Sequence, residues 1–291
     1  MPHVEWVWDQ LAAPGFLTLV SGRPKAGKST LLFGLCAALR TGQPFLGMPT
    51  RPTKTIYCTE ERWSSYDSKA KLFGDPDYLY LYEHKAGLDL AGLCEALAHD
   101  AADYGAGLVI IDTWTKWARF GSGSLNDADS VRVQMGHLEH LASTVAVMAV
   151  GYQRKGEGEF GEGVMGSTEI VGRADVIMEL RRKDDERLLE IIGRTDAPER
   201  ILFQLDHETG TLRAETPEDR VFKIVERLAG ESMDAPSGNM IEKAMHARHG
   251  SLRPVLDSLV SQSRLRVVGA GNRAGYVPAF PPFGEGNGGN R

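Results

Sequence analysis

Eight residues near the start of this 291-residue chain constrain its fold more than any others. Gly22-Arg23-Pro24-Lys25-Ala26-Gly27-Lys28-Ser29 satisfies the pattern G-x-x-x-x-G-K-[ST] at every fixed position. The motif has meaning only between a strand and a helix, and both are predicted here. The apolar run Phe16-Leu17-Thr18-Leu19-Val20 precedes it, and a helical pattern over 28–40 follows. Glycines let the backbone fold tightly, so that successive N–H groups face one anion. The helix N-terminus adds positive potential. Gly22 through Ser29, with Thr30 after them, are therefore the expected phosphate cradle for ATP. Lys28 is expected to reach the β- and γ-phosphates, and Ser29 to ligate Mg²⁺.

A strand–loop–helix start fits an α/β chain, and the pattern downstream agrees. Strands are predicted over 54–58, 78–82, 108–111 and 145–150, alternating with helical stretches up to 73, over 88–104 and over 127–143. Closing strands are expected over 174–180, 188–192 and 201–205, then a hairpin turn at His207-Glu208-Thr209-Gly210 leading to Leu212. This alternation predicts a mostly parallel sheet between layers of helix. Beyond Thr216-Pro217 the character changes. Three short helices over 218–228, 238–246 and 252–262 precede β-like runs over 265–268 and 275–277, the outline of a winged helix-turn-helix. The expected domains are 1–215, 216–280 and a disordered Gly-, Pro- and Asn-rich tail over 281–291.

Composition removes several function classes. Cys36, Cys58 and Cys94 are spaced for neither a zinc site nor a disulfide framework, which points to a reducing cytoplasm. The start lacks the layout of a signal peptide, and no apolar run reaches the length of a membrane span. A net charge of −6 argues against a global basic field for nucleic acid.

Two further places carry acid chemistry. Asp112 ends the apolar strand Leu108-Val109-Ile110-Ile111, at the edge where such sheets bind ligands. It is the expected Mg²⁺-holding acid. Glu60 and Glu61 follow the strand over 54–58. On chemistry alone, a general base and a solvated helix N-terminus are equal readings of that pair.

The P-loop, Tyr57-Cys58-Thr59-Glu60-Glu61 and Ile110-Ile111-Asp112 together resemble the RecA-fold (AAA-like) ATPases, in particular the RepA-type hexameric helicase group. The likeness covers roughly 5–213. It implies a RecA-like core, with Glu60 as the base that activates water. It also implies Gln153 as a polar sensor of the γ-phosphate, although Gly151-Tyr152 departs from the histidines frequent in RepA-like relatives. By the same resemblance, Arg154 and Lys155 would face single-stranded DNA in the channel of a ring, in spite of Glu157, Glu159 and Glu162 nearby. Lys116 and Arg119, with the loop Gly121-Ser122-Gly123-Ser124, form a second candidate; there Trp114 and Trp117 would stack on bases or pack in the core. Arg194 matches the second member of a basic pair that reaches a neighbour's ATP; the first would fall on Ile192, so half the pair is missing. A finger of this kind implies a homo-oligomer, because the site is completed between subunits.

The C-terminal stretch over 216–281 has nine basic and seven acidic residues, and from Arg248 to Arg273 the balance is five to one. Arg253, Arg264, Arg266 and Arg273 are the expected contacts to duplex or forked DNA. Protein contact or ring assembly is the alternative. Together these features predict a DNA-dependent ATPase acting as a hexameric replicative-type helicase, without a membrane. The alternatives are a RecA-like recombination or annealing ATPase, and an ATP-controlled DNA-binding initiator or regulator that does not unwind.

Overall fold

Strand β1 (Leu17–Gly22) is buried at all six residues, which requires cover on both faces of its sheet. The computed structural model provides it; the residues it describes are 4–59, 77–83, 88–121, 123–151, 168–183, 186–206, 211–232, 234–271 and 274–279. Contacts divide the chain into two units, Met1–Ala214 and Glu215–Arg291.

In the first unit β1 leads through the P-loop into α1 (Lys28–Thr41), then β2 (Lys54–Thr59), β3 (Leu79–Glu83) and α2 (Leu90–Tyr104). Next come β4 (Ala106–Asp112), a 3-10 turn (Trp114–Lys116), α3 (Ala128–Ala142), β5 (Ala146–Val150) and α4 (Thr168–Arg173). The strands β6 (Val176–Lys183), β7 (Glu186–Gly193), β8 (Arg200–Leu205) and β9 (Leu212–Ala214) close the unit. All nine strands form one sheet in the order β3-β2-β4-β5-β1-β6-β7-β8-β9. The pairs from β3 to β6 are parallel, and β6 to β9 are joined antiparallel. The mostly parallel sheet between helices fits a RecA-like P-loop core.

Strand residues alternate between two cores. Leu108, Ile110, Tyr57 and Val20 meet Leu31, Leu32 and Leu35 of α1 on one face. Val109, Ile111, Leu17 and Leu19 meet Leu93 and Leu97 of α2 and Met135 and Leu138 of α3 on the other. Local signals set the helix ends. Asp89 and Asp127 cap α2 and α3 by accepting from the Gly92 and Ser130 amides, and Gly42 and Gly105 end α1 and α2 in left-handed conformation. No helix among the described residues is long and apolar enough to cross a membrane.

The second unit has three helices, α5 (Pro217–Glu231), α6 (Gly238–Ala244) and α7 (Arg253–Ser261), and an antiparallel ribbon of β10 (Leu265–Val268) and β11 (Gly275–Pro278). Val221, Val225, Ile241, Leu256, Leu259 and Leu265 make its core. Thr216 and Asp219 form a capping box at the start of α5. Asp219 also accepts from Arg264 at 2.9 Å, and that guanidinium lies 4.9 Å from the Phe222 ring centre. Burial acts to raise the Asp219 pKa, but hydrogen bonds from Thr216 and from Arg264 outweigh it and hold the carboxyl below its usual value. A lowered folded pKa gives stability that is present above the unfolded value and lost as pH falls through the folded one. Asp219→Asn is therefore expected to weaken α5 by about 1 kcal/mol at pH 7. The difference should fade below about pH 4, read by hydrogen exchange of the α5 amides.

Candidate functional site

The P-loop is shaped by two glycines for different reasons. At Gly22 the chain runs so close to β6 that a Cβ would lie 2.7 Å from the Leu180 carbonyl oxygen, so a side chain has no room. At Gly27 φ is +104°, a left-handed conformation that favours glycine. Between them Arg23, Pro24 and Lys25 are exposed, and the Ala26 amide donates to the Arg23 carbonyl. Helix α1 begins at Lys28 with no side-chain cap and no acidic residue in its first turn. Its first amides, among them those of Lys28, Ser29 and Thr30, are thus placed for an anion.

Lys28 is 8% exposed. Its Nζ donates to the Gly22 carbonyl at 2.9 Å and to that of Arg23 at 3.3 Å. Burial pushes its pKa below the usual lysine range, opposed by the charge of Asp112. Asp112, also 8% exposed, ends β4 on the α1 face. Its Oδ2 accepts from Ser29 Oγ at 3.1 Å and from the Tyr57 hydroxyl at 2.6 Å. Ser29 and Asp112 are 83 residues apart in sequence and are brought together across β5, the strand between β1 and β4. A hydroxyl and a carboxylate are the hard oxygen donors that Mg²⁺ takes, usually one or two from protein beside phosphate oxygens. The pair fits that ion.

The strands on either side of Asp112 end level with it. Thr59 of β2 and Val150 of β5 are its paired neighbours. Glu60 follows Thr59 directly, and Gln153 comes three residues after Val150. Glu60, Glu61 and Gln153 themselves lie outside the described residues, as do Arg154, Lys155, the Gly-rich stretch over 156–163 and Arg273.

Arg194 follows β7, which runs antiparallel to β6, so it sits at the sheet edge opposite its own P-loop. It is 67% exposed, pairs with Asp175 at 3.3 Å and donates to the Gly172 carbonyl at 3.2 Å. Trp114 and Trp117 are buried in the α2–α3 core, while Lys116 and Arg119 are exposed. In the second unit Arg253 and Arg266 are exposed, whereas Arg264 is engaged by Asp219 and Phe222. The three thiols are buried, which pushes Cys36 and Cys94 up to about 12 and Cys58 upward as well, so none is poised as a thiolate.

Sequence reasoning missed two neighbours of the P-loop. The sequence marks Tyr57 as a strand residue and part of the Tyr57–Glu61 motif but not as a partner of Asp112, a contact that spans 55 residues. Arg187 starts β7 on the α1 face at 5% exposure, and its Nε lies 3.3 Å from where a Gly27 Cβ would be. No local pattern marks it, because it reaches the P-loop from two strands away.

A family model described as an AAA domain matches residues 1–158, more than half of the chain. No curated protein matches the sequence.

Lys28→Ala is expected to abolish nucleotide binding or to cut turnover about 10²–10³-fold. Equilibrium binding of a fluorescent ATP analogue and a phosphate-release assay would check it, and retained turnover would remove the P-loop assignment.

Proposed function

We propose that this chain, which belongs to the AAA domain family, is a DNA-dependent ATPase working as an oligomeric ring of the replicative helicase type. The observation that carries the ATPase part is the convergence of Ser29 and Asp112, 3.1 Å apart, on the uncapped start of α1. Bound ATP would place its β- and γ-phosphates against the amides of 27–30, where Lys28 exchanges its carbonyl partners for phosphate oxygens. Ser29 and Asp112 would hold a Mg²⁺ ion, which would supply charge neutralisation to the phosphates. Glu60 takes a proton from the attacking water, whose oxygen bonds the γ-phosphorus as the bond to the β–γ bridging oxygen breaks, giving ADP and inorganic phosphate. Gln153 senses whether that phosphate is present.

Arg194 is the proposed finger for a neighbour's site. What supports this is its exposure and its position at the edge away from its own P-loop. To act in trans it must leave Asp175, an exposed pairing that costs little to break. The number of subunits, six by resemblance, is part of the same proposal.

The DNA part rests on two supports, the likeness to RepA-type helicases and the exposed arginines of the second unit. We read that unit as a winged helix, with Arg253 and Arg266 facing phosphates; Arg273 is a further proposed contact. Arg264 is committed to Asp219 and Phe222, which makes it a structural residue of the fold in this reading. Arg154 and Lys155 are the proposed contacts to the single strand.

Adding single-stranded DNA is expected to raise the ATPase rate, with ring particles in electron micrographs and unwinding of a forked substrate. Filaments with DNA-stimulated turnover but no unwinding would favour a recombination or annealing role. Slow turnover indifferent to DNA would favour an ATP-controlled regulator.

The trans finger has its own test. Arg194→Ala and Glu60→Gln should each be inactive alone, by about 10³-fold or more for the finger. Mixing them should restore part of the activity, because some sites then combine an intact Glu60 with a neighbour's Arg194. No rescue at any ratio would count against the finger.

A further inference from the structure

The Asp112 carboxylate is held from two sides. Its Oδ2 accepts from Ser29 Oγ and, more closely, from the Tyr57 hydroxyl at 2.6 Å. Tyr57 is completely buried, and its ring stacks on Phe33 of α1 with centroids 4.4 Å apart and planes 8° from parallel. Phe33 lies four residues after Ser29, so the two project from the same face of the helix. One side chain therefore joins three elements: its backbone belongs to β2, its ring rests on α1, and its hydroxyl bonds the acid that ends β4.

A buried phenol needs an acceptor, and a bond to a charged carboxylate is among the strongest it can make. The two donors to Oδ2 differ in one respect. Ser29 is also a candidate ligand of the metal, so its hydroxyl is shared between acid and ion. A neutral phenol is a poor Mg²⁺ ligand, so the Tyr57 bond remains when Ser29 turns to the ion.

We propose that Tyr57 is a positioning residue for the metal: by fixing Oδ2 it sets the orientation in which the Asp112 carboxylate meets Mg²⁺. The inference rests on the reading of this site as a Mg²⁺–nucleotide site. It gives the tyrosine a role beyond packing, since a phenylalanine would fill the same space and stack on Phe33 equally well.

The test uses the full chain and needs no turnover. Binding of fluorescent ADP is measured without Mg²⁺ and across a MgCl₂ titration, for wild type, Tyr57→Phe, Asp112→Asn and the double variant. Tyr57→Phe should bind ADP as wild type does without Mg²⁺, and its half-point in MgCl₂ should rise about tenfold, the usual scale for losing a group that orients a metal ligand. In the Asp112→Asn background the same substitution should have no further effect, because the tyrosine acts through that carboxylate. A half-point within twofold of wild type would overturn the proposal, and so would an equal shift in both backgrounds. So would loss of folding in Tyr57→Phe, which would assign the hydroxyl to stability. A wild type whose ADP affinity ignores MgCl₂ would overturn the site reading and this proposal together. A responsive wild type whose MgCl₂ half-point Tyr57→Phe leaves unchanged overturns this proposal alone.

Discussion

The first-turn amides of α1 have no carbonyls within their helix to bond, and no side chain caps them. The carboxyl edge of the sheet is arranged around that positive helix start. Gly22 passes within contact of Leu180 so that the loop can curl over the helix start, and Gly27 adopts a left-handed turn to begin it. Positive potential alone would hold any phosphate. The parallel register changes that by ending β4 on the same edge, two strands away, so that an acid meets the Ser29 hydroxyl there. The phosphate cradle thereby stands beside two hard oxygen donors that fit a metal ion.

How much of this was legible in the sequence depended on range. The P-loop is a local device, and its glycines, lysine and serine are contiguous. Asp112 was legible because a continuous apolar run declares a strand covered on both faces, and the residue ending it has a known side of the sheet to occupy. The capping residues Asp89 and Asp127 act three residues from their partners and mark helix starts in the same local way. Tyr57 was not legible as a partner of Asp112, since nothing near it in sequence distinguishes a buried phenol that bonds an acid from one that fills space. Arg187 meets Gly27 only because β7 turns back beside β6 and brings its first residues to the P-loop edge. Arg264 looked like a free cation for DNA by composition, and its pairing with Asp219 required α5 to pack beside the ribbon. Arg194 likewise carries an ion pair to Asp175 that its position after a strand did not announce.

The central sheet also separates two packing problems. On the α1 face, Tyr57 bonds Asp112 of the site itself, and Phe33 stacks on Tyr57. Side chains on the α2–α3 face, such as Leu97, Met135 and Leu138, reach the site only through the backbone of the strands between. The two faces should therefore drift at different rates under selection. One is tied to chemistry and has little freedom. The other can exchange one apolar side chain for another of similar volume and serve as a reservoir of stability, from which changes near the nucleotide can be tolerated.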